Sequence, residues 1–412
     1  YDLMVPGNHD YNYGSARLQE LARGMQCTVL SANTIDRRTK QPLFAPSKII
    51  VRDGVRIAFF GITTPETANK TSPRNVKDIV FTDAIAAARE QVRVLRPQAD
   101  LLIGIMHVGL DKSSVVTSDA IARAVPGIDV IIDGHSHTEL PDGLLVGSTL
   151  IAQTGCYDHR LGRVDLTVQD KKVTAKTAHL YTPAELTAIA PQPDAAITAR
   201  ISQMKTANQA LFAEVIAHSN LPLSGERALV RTRETALGDL SADALRAAAQ
   251  ADIAIVNGGS IRTDLKAGAV TRLDMMSIFP FGNTLKKVEV SGAVLQSILE
   301  HSVSQLPAAS GGFLQVSGLT FTYDVSQPAG QRVSDIRIAG KPLVLTRTYT
   351  LAANDFLTAG GDGYTMLQSA RVIGEYGTCE EAMTSWLNQH GVTSQTSANR
   401  IQPQAAAFPA AA

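Results

Sequence analysis

Apolar runs and amphipathic stretches alternate over the first third of the chain. The runs Asp100–His107 and Ile128–Asp133 are dominated by apolar residues and predict buried β-strands. Helical spacing over Asp83–Leu95 and over 118–125 predicts one helix before and one helix after the strand that ends at His107. Strands that alternate with helices predict an α/β sheet, in which functional sites lie on the loops that follow strand ends.

Tight turns mark further strands. Arg56–Gly61 follows a turn at Asp53-Gly54 and predicts the second strand of a hairpin. The run Thr149–Gln153 predicts another strand, and a hairpin is predicted over 162–176 around Asp170-Lys171. The pattern from Thr149 onward is therefore mainly β.

Composition shifts after Tyr181 and indicates a boundary between domains. Proline and alanine accumulate from Pro183 to Pro193, and a helical stretch without glycine follows from Ala195 to about Ala217. Mixed elements then begin again: a helix at 235–249, a strand at 253–256, a strand and helix at 285–306, and a hairpin around Gln327–Gly330. A chain of 412 residues predicts two or three domains. We expect a first domain at 1–182, a linker helix region at 183–218, a second domain at 219–404 and a frayed tail at 405–412.

Charge and cysteine content exclude several classes of function. The 38 basic and 38 acidic residues cancel, and no long basic run occurs, which argues against a nucleic acid polymer or an anionic membrane as the main partner. No stretch reaches the roughly 18 consecutive apolar residues of a membrane span. Cys27, Cys156 and Cys379 are too few for a disulfide framework or a cysteine-based zinc site, so buried or half-buried thiols are expected. One disulfide with an odd thiol stays open as an alternative.

Four of the nine histidines lie where predicted strands end. His9 follows the opening apolar run within Gly7-Asn8-His9-Asp10, and His107 ends the strand from Asp100. His135 and His137 flank a serine directly after the strand at Ile128. Imidazole suits zinc, manganese or iron, and Asn8 adds a neutral oxygen donor. A lone histidine is usually a core or capping residue, but four at strand ends indicate a metal site.

These motifs resemble a known family. Gly7–Asp10, Met106–Gly109 and Gly134–His137 resemble three motifs of the calcineurin-like metallophosphatases. The stretch 153–166 is similar to the closing hairpin of one branch, the 5′-nucleotidases, which also includes UDP-sugar hydrolases and 2′,3′-cyclic-nucleotide phosphodiesterases. The resemblance implies an α/β fold: a metallophosphatase-type β-sandwich flanked by helices, a linker helix and a second α/β nucleotide-binding domain.

The resemblance also implies roles for these residues. Asn8, His107 and His135 would ligate one divalent ion and His137 a second, with zinc, manganese or a similar metal as the cofactor. His9 would be the catalytic histidine that stabilises phosphoryl charge or protonates the leaving oxygen. Asn12 stands where many relatives have an aspartate that pairs with this histidine, and an amide orients imidazole without supplying charge.

The family's first two motifs, an Asp-x-His and a Gly-Asp, lie before Gly-Asn-His. Only six residues precede Gly7 in this chain. We therefore expect an N-terminally truncated chain whose metal site is incomplete.

The second half carries three glycine-containing loops with a shared pattern. Each follows a strand-like run: Asn257–Arg262, Phe279–Asn283 and 354–363. Two phenylalanines on such loops suit a flat base, and arginine forks suit carboxylate or phosphate. The set resembles the 5′-nucleotidase C-terminal domain, which implies the substrate-binding residues Arg231, Asn257, Arg262, Phe281, Phe356 and Asp362. Phe281 and Phe356 would stack the base and Asp362 would hold the ribose; taken singly, these phenylalanines also suit a core and the arginines a surface.

The function that the resemblance implies is metal-dependent hydrolysis of nucleotide phosphoesters, foremost of nucleoside 5′-monophosphates. A cyclic-nucleotide phosphodiesterase or a nucleotide-sugar hydrolase is the alternative within the enzyme class, and a nucleoside-binding fragment without catalysis is the alternative outside it. The expected partner is a small nucleotide, and the sequence leaves the oligomeric state open. Most relatives are periplasmic, secreted or on the cell surface, so we expect one of these locations.

Overall fold

The computed structural model describes residues 1–392 and 394–404, so the predicted tail at 405–412 lies outside the described residues. The chain forms two compact units, Tyr1–Ala195 and Ala196–Ala412. Both units combine sheets with helices, which confirms the mixed α/β prediction.

Five helices and twelve strands are described in the first unit. The helices are α1 (Ser15–Gly24), α2 (Thr67–Lys70), α3 (Ala84–Leu95), α4 (Ser118–Ala124) and α5 (Pro183–Ile189). The strands are β1 (Leu3–Met4), β2 (Thr28–Val29), β3 (Thr34–Asp36), β4 (Ser47–Arg52), β5 (Val55–Thr63), β6 (Ile79–Phe81), β7 (Leu101–His107), β8 (Val130–Ile132), β9 (Leu144–Val146), β10 (Thr149–Ala152), β11 (Leu161–Gln169) and β12 (Lys172–Tyr181).

A six-stranded sheet with the order β4-β5-β7-β8-β10-β9 organises this unit. Strands β5, β7, β8 and β10 are parallel neighbours, and β4 and β9 pair antiparallel at the two edges. Alternate residues of β5, such as Phe60 and Ile62, pack with α3 and α4 into one core. On the opposite face the backbone of Leu30 lies so close to Gly61 that a Cβ on this glycine would meet the carbonyl oxygen at 2.3 Å. The sheet is therefore covered on both faces.

The helix predicted from Ala195 to about Ala217 is shorter than expected. Helix α6 spans Ala195–Phe212, and Val215–Ser219 forms strand β13, so the prediction was wrong at its C-terminal end. Val215 and Ile216 are β-branched and favour extended backbone. The strand pairs antiparallel with Gly268–Thr271, and the guanidinium of Arg272 binds the carboxylate of Glu214 just before it. A helix through these residues would lose both sets of bonds.

The second unit continues with six helices and ten strands after β13. The helices are α7 (Arg227–Val230), α8 (Ala236–Ala249), α9 (Arg272–Ile278), α10 (Gly292–Val303), α11 (Asp355–Thr358) and α12 (Cys379–His390). The strands are β14 (Ile253–Asn257), β15 (Gly268–Thr271), β16 (Thr284–Ser291), β17 (Leu314–Ser317), β18 (Leu319–Tyr323), β19 (Val333–Ile338), β20 (Lys341–Pro342), β21 (Thr348–Asn354), β22 (Arg371–Thr378) and β23 (Ile401–Pro403).

A five-stranded sheet, β17-β14-β21-β16-β22, lies at the centre of this unit. Its strand β14 is buried on both faces, because Ile253 and Ile255 belong to one core cluster while Ala254 and Val256 belong to another. The run Ile253–Val256 was predicted as a strand from its continuous apolar character, and the structure confirms it. A four-stranded sheet, β20-β19-β18-β23, completes the unit beside the small β13-β15 pair.

Within the described residues, Cys27, Cys156 and Cys379 form no disulfide, and Cys379 is buried. Throughout 1–392 and 394–404, none of the helices has both the length and the apolar character needed to cross a bilayer.

Candidate functional site

Three of the four predicted metal ligands, Asn8, His107 and His135, meet because three parallel strands end at one edge of the sheet. Strands β5, β7 and β8 are neighbours, and Thr63 at the end of β5 stands in register with His107 at the end of β7. His135 follows β8 by three residues. The hydroxyl of Thr63 donates to the carbonyl of Pro6 at 3.0 Å, which holds the segment before Asn8 at the same edge.

Three donor atoms converge there, and we refer to Asn8, His107 and His135 as the donor triangle. Oδ1 of Asn8 lies 3.1 Å from Nε2 of His107 and 3.1 Å from Nδ1 of His135. The two imidazole nitrogens are 3.2 Å apart. Ligands that bind a divalent ion at about 2.1 Å with angles between 90 and 110° are separated by roughly 3.0–3.4 Å. The triangle therefore has the dimensions of three ligands on one ion.

His107 is held in the neutral state that metal binding requires. Burial, and next to it the positive charge of His9, lower its pKa from 6.5 to about 4. The His107 ring fits here only because residue 7 has no side chain: a Cβ at Gly7 would come within 2.6–2.8 Å of three ring atoms. The glycine of the Gly-Asn-His motif is thus required by this close approach.

The His-Ser-His turn is held in an unusual backbone conformation. His135 and His137 have φ angles of 76° and 60°, a left-handed region that residues with a side chain seldom adopt. Ser136 is buried and donates from its hydroxyl to Oε1 of Gln153 at 2.8 Å, while the same Oε1 accepts from the backbone of Thr138 at 2.7 Å. Strain of this kind persists when the surroundings over-determine it and is common at functional sites.

Asp133 joins the ends of two strands. Its carboxylate accepts hydrogen bonds from the backbone N–H groups of Val108 and Gly109, each at 3.1 Å. It also accepts from Nε2 of Gln153 at 3.3 Å. These bonds fix the loop after His107 against the loop that carries His135.

His9 and Asn12 lie beside each other next to the triangle. Nδ1 of the exposed His9 is 3.4 Å from Oδ1 of Asn12. Asn12 is itself held, because the hydroxyl of Thr71 donates to its Oδ1 at 3.1 Å and Nδ2 of Asn75 donates to its carbonyl at 2.6 Å. The amide of Asn12 is therefore placed where it can orient the imidazole of His9.

His137 packs its ring edge-to-face on Tyr157, with the ring centroids 5.9 Å apart. In the part of the chain that the structure describes, no three His, Cys, Asp or Glu side chains form a metal-binding group. The donor triangle contains only two such residues, and its third donor is the amide oxygen of Asn8.

Sequence reasoning missed one acidic residue at this edge, Glu66. It is 9% exposed, and its Oε2 lies 3.9 Å from Nε2 of His135. The signal was present, because Glu66 follows the end of β5 by three residues, just as His135 follows the end of β8.

In the second unit, Asn257 and Asp362 form the centre of the predicted substrate site. Nδ2 of Asn257 donates to the carboxylate of Asp362 at 2.7 Å, and its Oδ1 accepts from Nδ2 of Asn354 at 3.1 Å. Asn257 ends β14 and Asn354 ends β21, which are parallel neighbours. The two asparagines therefore meet at one edge of the five-stranded sheet.

The remaining predicted residues surround this centre. The carbonyl of Arg231 accepts from Ser310, and the neighbouring Gly258 has no room for a Cβ, which would stand 2.2 Å from the carbonyl oxygen of Val230. The half-buried ring of Phe356 lies against the backbone of Gly361, next to Asp362.

Arg262 and Phe281 form a pair of their own. The guanidinium lies 5.6 Å from the centroid of the Phe281 ring, within cation–π range. Nη1 of Arg262 donates to the carbonyl of Gly259 at 3.4 Å, and Asn283 donates to Asp355 at 2.8 Å. These bonds connect the pair to the loops that carry Asn257 and Phe356.

Comparisons with known proteins cover both units of the chain. The family model of the 5′-nucleotidase C-terminal domain matches residues 215–369. A solved 5′-nucleotidase precursor from Thermus thermophilus is 29% identical, with a TM-score of 0.86 over 98% of this chain and 83% of that chain. The chain thus carries a 5′-nucleotidase C-terminal domain and is similar over nearly its whole length to a solved 5′-nucleotidase. These similarities support a hydrolase enzyme.

Two curated relatives show how much of a longer protein this chain covers. The trifunctional nucleotide phosphoesterase protein YfkN of Bacillus subtilis is 31% identical over 90% of this chain, which spans only 28% of that protein. A 5′-nucleotidase of Vibrio cholerae is 29% identical over 88% of this chain and 72% of its own length. The chain thus matches only a part of each of these two relatives.

Proposed function

We propose that this protein hydrolyses nucleotide phosphoesters, with nucleoside 5′-monophosphates as the preferred substrates and a divalent ion at the donor triangle. The observation that carries the proposal is the convergence of Asn8, His107 and His135 at mutual distances of 3.1–3.2 Å. The 5′-nucleotidase name of the Vibrio and Thermus relatives supports the choice of substrate.

The spacing of the donor triangle suits one metal ion, and the lowered pKa of His107 favours the neutral ring that a metal ligand needs. A divalent ion bound by these three atoms would supply Lewis-acid activation of a phosphoryl oxygen. His137 is the donor that we assign to a second ion. His9 would place its imidazole on the phosphoryl group and protonate the leaving oxygen, and Asn12 would hold its ring in position.

The second unit would bind the nucleoside. Asp362 presents a carboxylate that can accept hydrogen bonds from two ribose hydroxyls, and Asn257 holds that carboxylate in place. Phe281 and Phe356 offer aromatic faces to the base. Arg231 and Arg262 would meet the anionic groups of the substrate.

The test is a substrate profile of the protein in its natural full length, with manganese or zinc added. Phosphate release from AMP, 2′,3′-cyclic AMP and UDP-glucose is measured, and a His107→Gln variant serves as the control without the triangle. We expect AMP to be the best substrate and the variant to be inactive. No turnover of AMP would contradict the proposal, and turnover of only one of the other two would assign the corresponding alternative. The name of the Bacillus relative, a trifunctional nucleotide phosphoesterase, is the reason to include all three.

We also propose that the protein acts outside the cytoplasm, because its Thermus relative is described as a precursor. Fractionation of cells that express the natural gene, followed by detection of the protein in each fraction, tests this location. Recovery from the cytoplasmic fraction alone would contradict it.

A further inference from the structure

The segment that follows β5 supports several residues of the candidate metal site. The carbonyl of Lys70 accepts from Nδ2 of Asn8 at 3.1 Å, so the amide nitrogen points away from the triangle and Oδ1 points into it. The hydroxyl of Thr71 donates to Oδ1 of Asn12 at 3.1 Å. A single stretch of chain thus sets the orientation of two predicted site residues.

Glu66 lies in this segment too, and its side chain faces a third predicted site residue, His135. Glu66 is buried and His135 is half-buried, with side chains that are 9% and 11% exposed. Oε2 of Glu66 has no hydrogen-bond partner among the residues that the structure describes, and the nearest imidazole nitrogen is Nε2 of His135 at 3.9 Å. A buried carboxylate oxygen without a donor costs free energy. A hydrogen-bond donor at Nε2 of His135 would remove this cost.

Hydrogen bonds hold the backbone of Glu66 in position. Its carbonyl accepts from the N–H groups of Asn69 and Lys70 at 2.9 and 2.7 Å, and its own N–H donates to the hydroxyl of Thr64 at 3.3 Å. From this fixed backbone position, the carboxylate lies about 1 Å beyond hydrogen-bond distance of Nε2 of His135.

The two nitrogens of His135 face different partners. Nδ1 points at the donor triangle, where it lies 3.1 Å from Oδ1 of Asn8, and Nε2 points at Glu66. An imidazole that binds a metal through one nitrogen carries its proton on the other, and a carboxylate beside that N–H fixes the tautomer and raises the basicity of the ligand.

We propose that Glu66 is a positioning residue for the metal ligand His135, accepting the Nε2 proton and thereby presenting the Nδ1 lone pair to the ion. The inference rests on the metal site of the proposed function. It predicts that the Glu66 carboxylate raises the affinity for metal and does not stabilise the metal-free protein.

The test compares the natural full-length protein with its Glu66→Gln and Glu66→Asp variants by calorimetric titration with Mn²⁺ and by the visible spectrum of bound Co²⁺. Loss of such an outer-shell carboxylate typically lowers metal affinity 10- to 100-fold, and we expect this for Glu66→Gln. Glu66→Asp keeps the charge and should recover part of the affinity. The Co²⁺ spectrum should change in Glu66→Gln, since His135 is no longer held.

A second measurement separates positioning from a merely structural role. The melting temperature of the metal-free Glu66→Gln variant should equal or exceed that of the unmodified protein, because Oε2 of Glu66 has no hydrogen-bond donor to lose among the described residues. A matched control is Asp100→Asn, which removes a carboxylate 7% exposed at the opposite end of β7, where it accepts from Arg56. This control should lower the melting temperature and leave the Mn²⁺ affinity unchanged.

The outcomes distinguish this inference from the function on which it rests. If the unmodified protein binds no Mn²⁺ or Co²⁺, the proposed metal site itself is wrong. If it binds metal and Glu66→Gln binds equally well, the proposed function stands and the role of Glu66 is overturned. A lower metal-free melting temperature with unchanged affinity would likewise overturn it and make Glu66 a structural residue.

Discussion

Nδ2 of Asn257 donates to the carboxylate of Asp362 at 2.7 Å, although 105 positions separate the two residues in the chain. Asp362 has a φ angle of 51°, and Nε2 of His301 lies 2.8 Å from its carbonyl oxygen. The carboxylate that we assign to the ribose is therefore held from both its side chain and its backbone before a ligand binds. Such preorganisation lowers the entropy that binding must overcome.

Replacing Asn257 with alanine should weaken nucleoside binding. Asn257 is buried, and its loss leaves the Asp362 carboxylate and the Asn354 amide without this partner. A hydrogen bond to a charged group contributes about 1.5–3 kcal/mol, so we expect the Kd for adenosine to rise roughly 10- to 100-fold by calorimetry. Asn388→Ala, at an exposed position of α12, is the control and should leave the Kd unchanged. A change smaller than twofold in Asn257→Ala would show that Asp362 does not depend on this bond.

Phe281→Leu should weaken binding of the base and leave binding of the phosphate unchanged. Its half-buried ring offers a face to a base, and loss of one stacked ring typically weakens binding by about 1–3 kcal/mol. The KM for AMP should rise roughly 10-fold, while inhibition by ribose 5-phosphate, which has no base, stays the same. Phe279→Leu changes a buried ring two residues away and should lower the free energy of unfolding by about 1 kcal/mol without raising KM. Equal effects on AMP and ribose 5-phosphate would remove Phe281 from the base site.

Gly7→Ala should disrupt the donor triangle. The backbone at Gly7, with φ −89° and ψ 173°, suits alanine, so the effect comes from the new Cβ, which would lie 2.6–2.8 Å from the His107 ring. Because His107 must move, we expect Mn²⁺ affinity to fall at least 10-fold. Gly24→Ala at the end of α1 meets nothing within 4 Å and should leave metal affinity unchanged. An unchanged affinity in Gly7→Ala would mean that the position of His107 is not critical.

The stability of the second unit should decrease as pH rises from about 4 to about 8. Burial, and then the negative charge of Glu234, raise the pKa of Asp239 to about 8. Because the folded protein binds this proton more tightly than the unfolded chain, the stabilisation is complete below the unfolded pKa near 4 and is lost as pH rises through about 8. The slope reaches at most about 1.4 kcal/mol per pH unit.

The measurement is urea unfolding followed by the fluorescence of Trp386, the single tryptophan, which lies in this unit. Asp239→Asn mimics the protonated carboxyl, since an amide can accept from the backbone of Ala398 and donate to Glu234. The variant should remove the pH slope and be more stable than the unmodified protein at pH 8. A slope that survives the substitution would assign the pH dependence to other groups.

Local sequence was sufficient for most elements and for the type of chemistry. The apolar run from Asp100, the turn at Asp53-Gly54 and the spacing over Asp83–Leu95 each act over a few residues, and each gave the element that the structure contains. Local sequence was insufficient at the end of helix α6. The predicted helix ran to Ala217, but this residue pairs with a strand about 50 residues away, and that pairing overrides the helical spacing.

The sequence by itself determined which side chains stand at strand ends, because the local pattern of apolar and polar residues defines where each strand begins and ends. Only the tertiary structure decided which of those ends are neighbours. The parallel order of β5, β7 and β8 brings Glu66, His107 and His135 to one edge, and the pairing of β14 with β21 brings Asn257 to Asn354. Glu66 could not be singled out from sequence because its role comes from burial and from one distance to His135, and both arise from contacts between residues far apart in the chain.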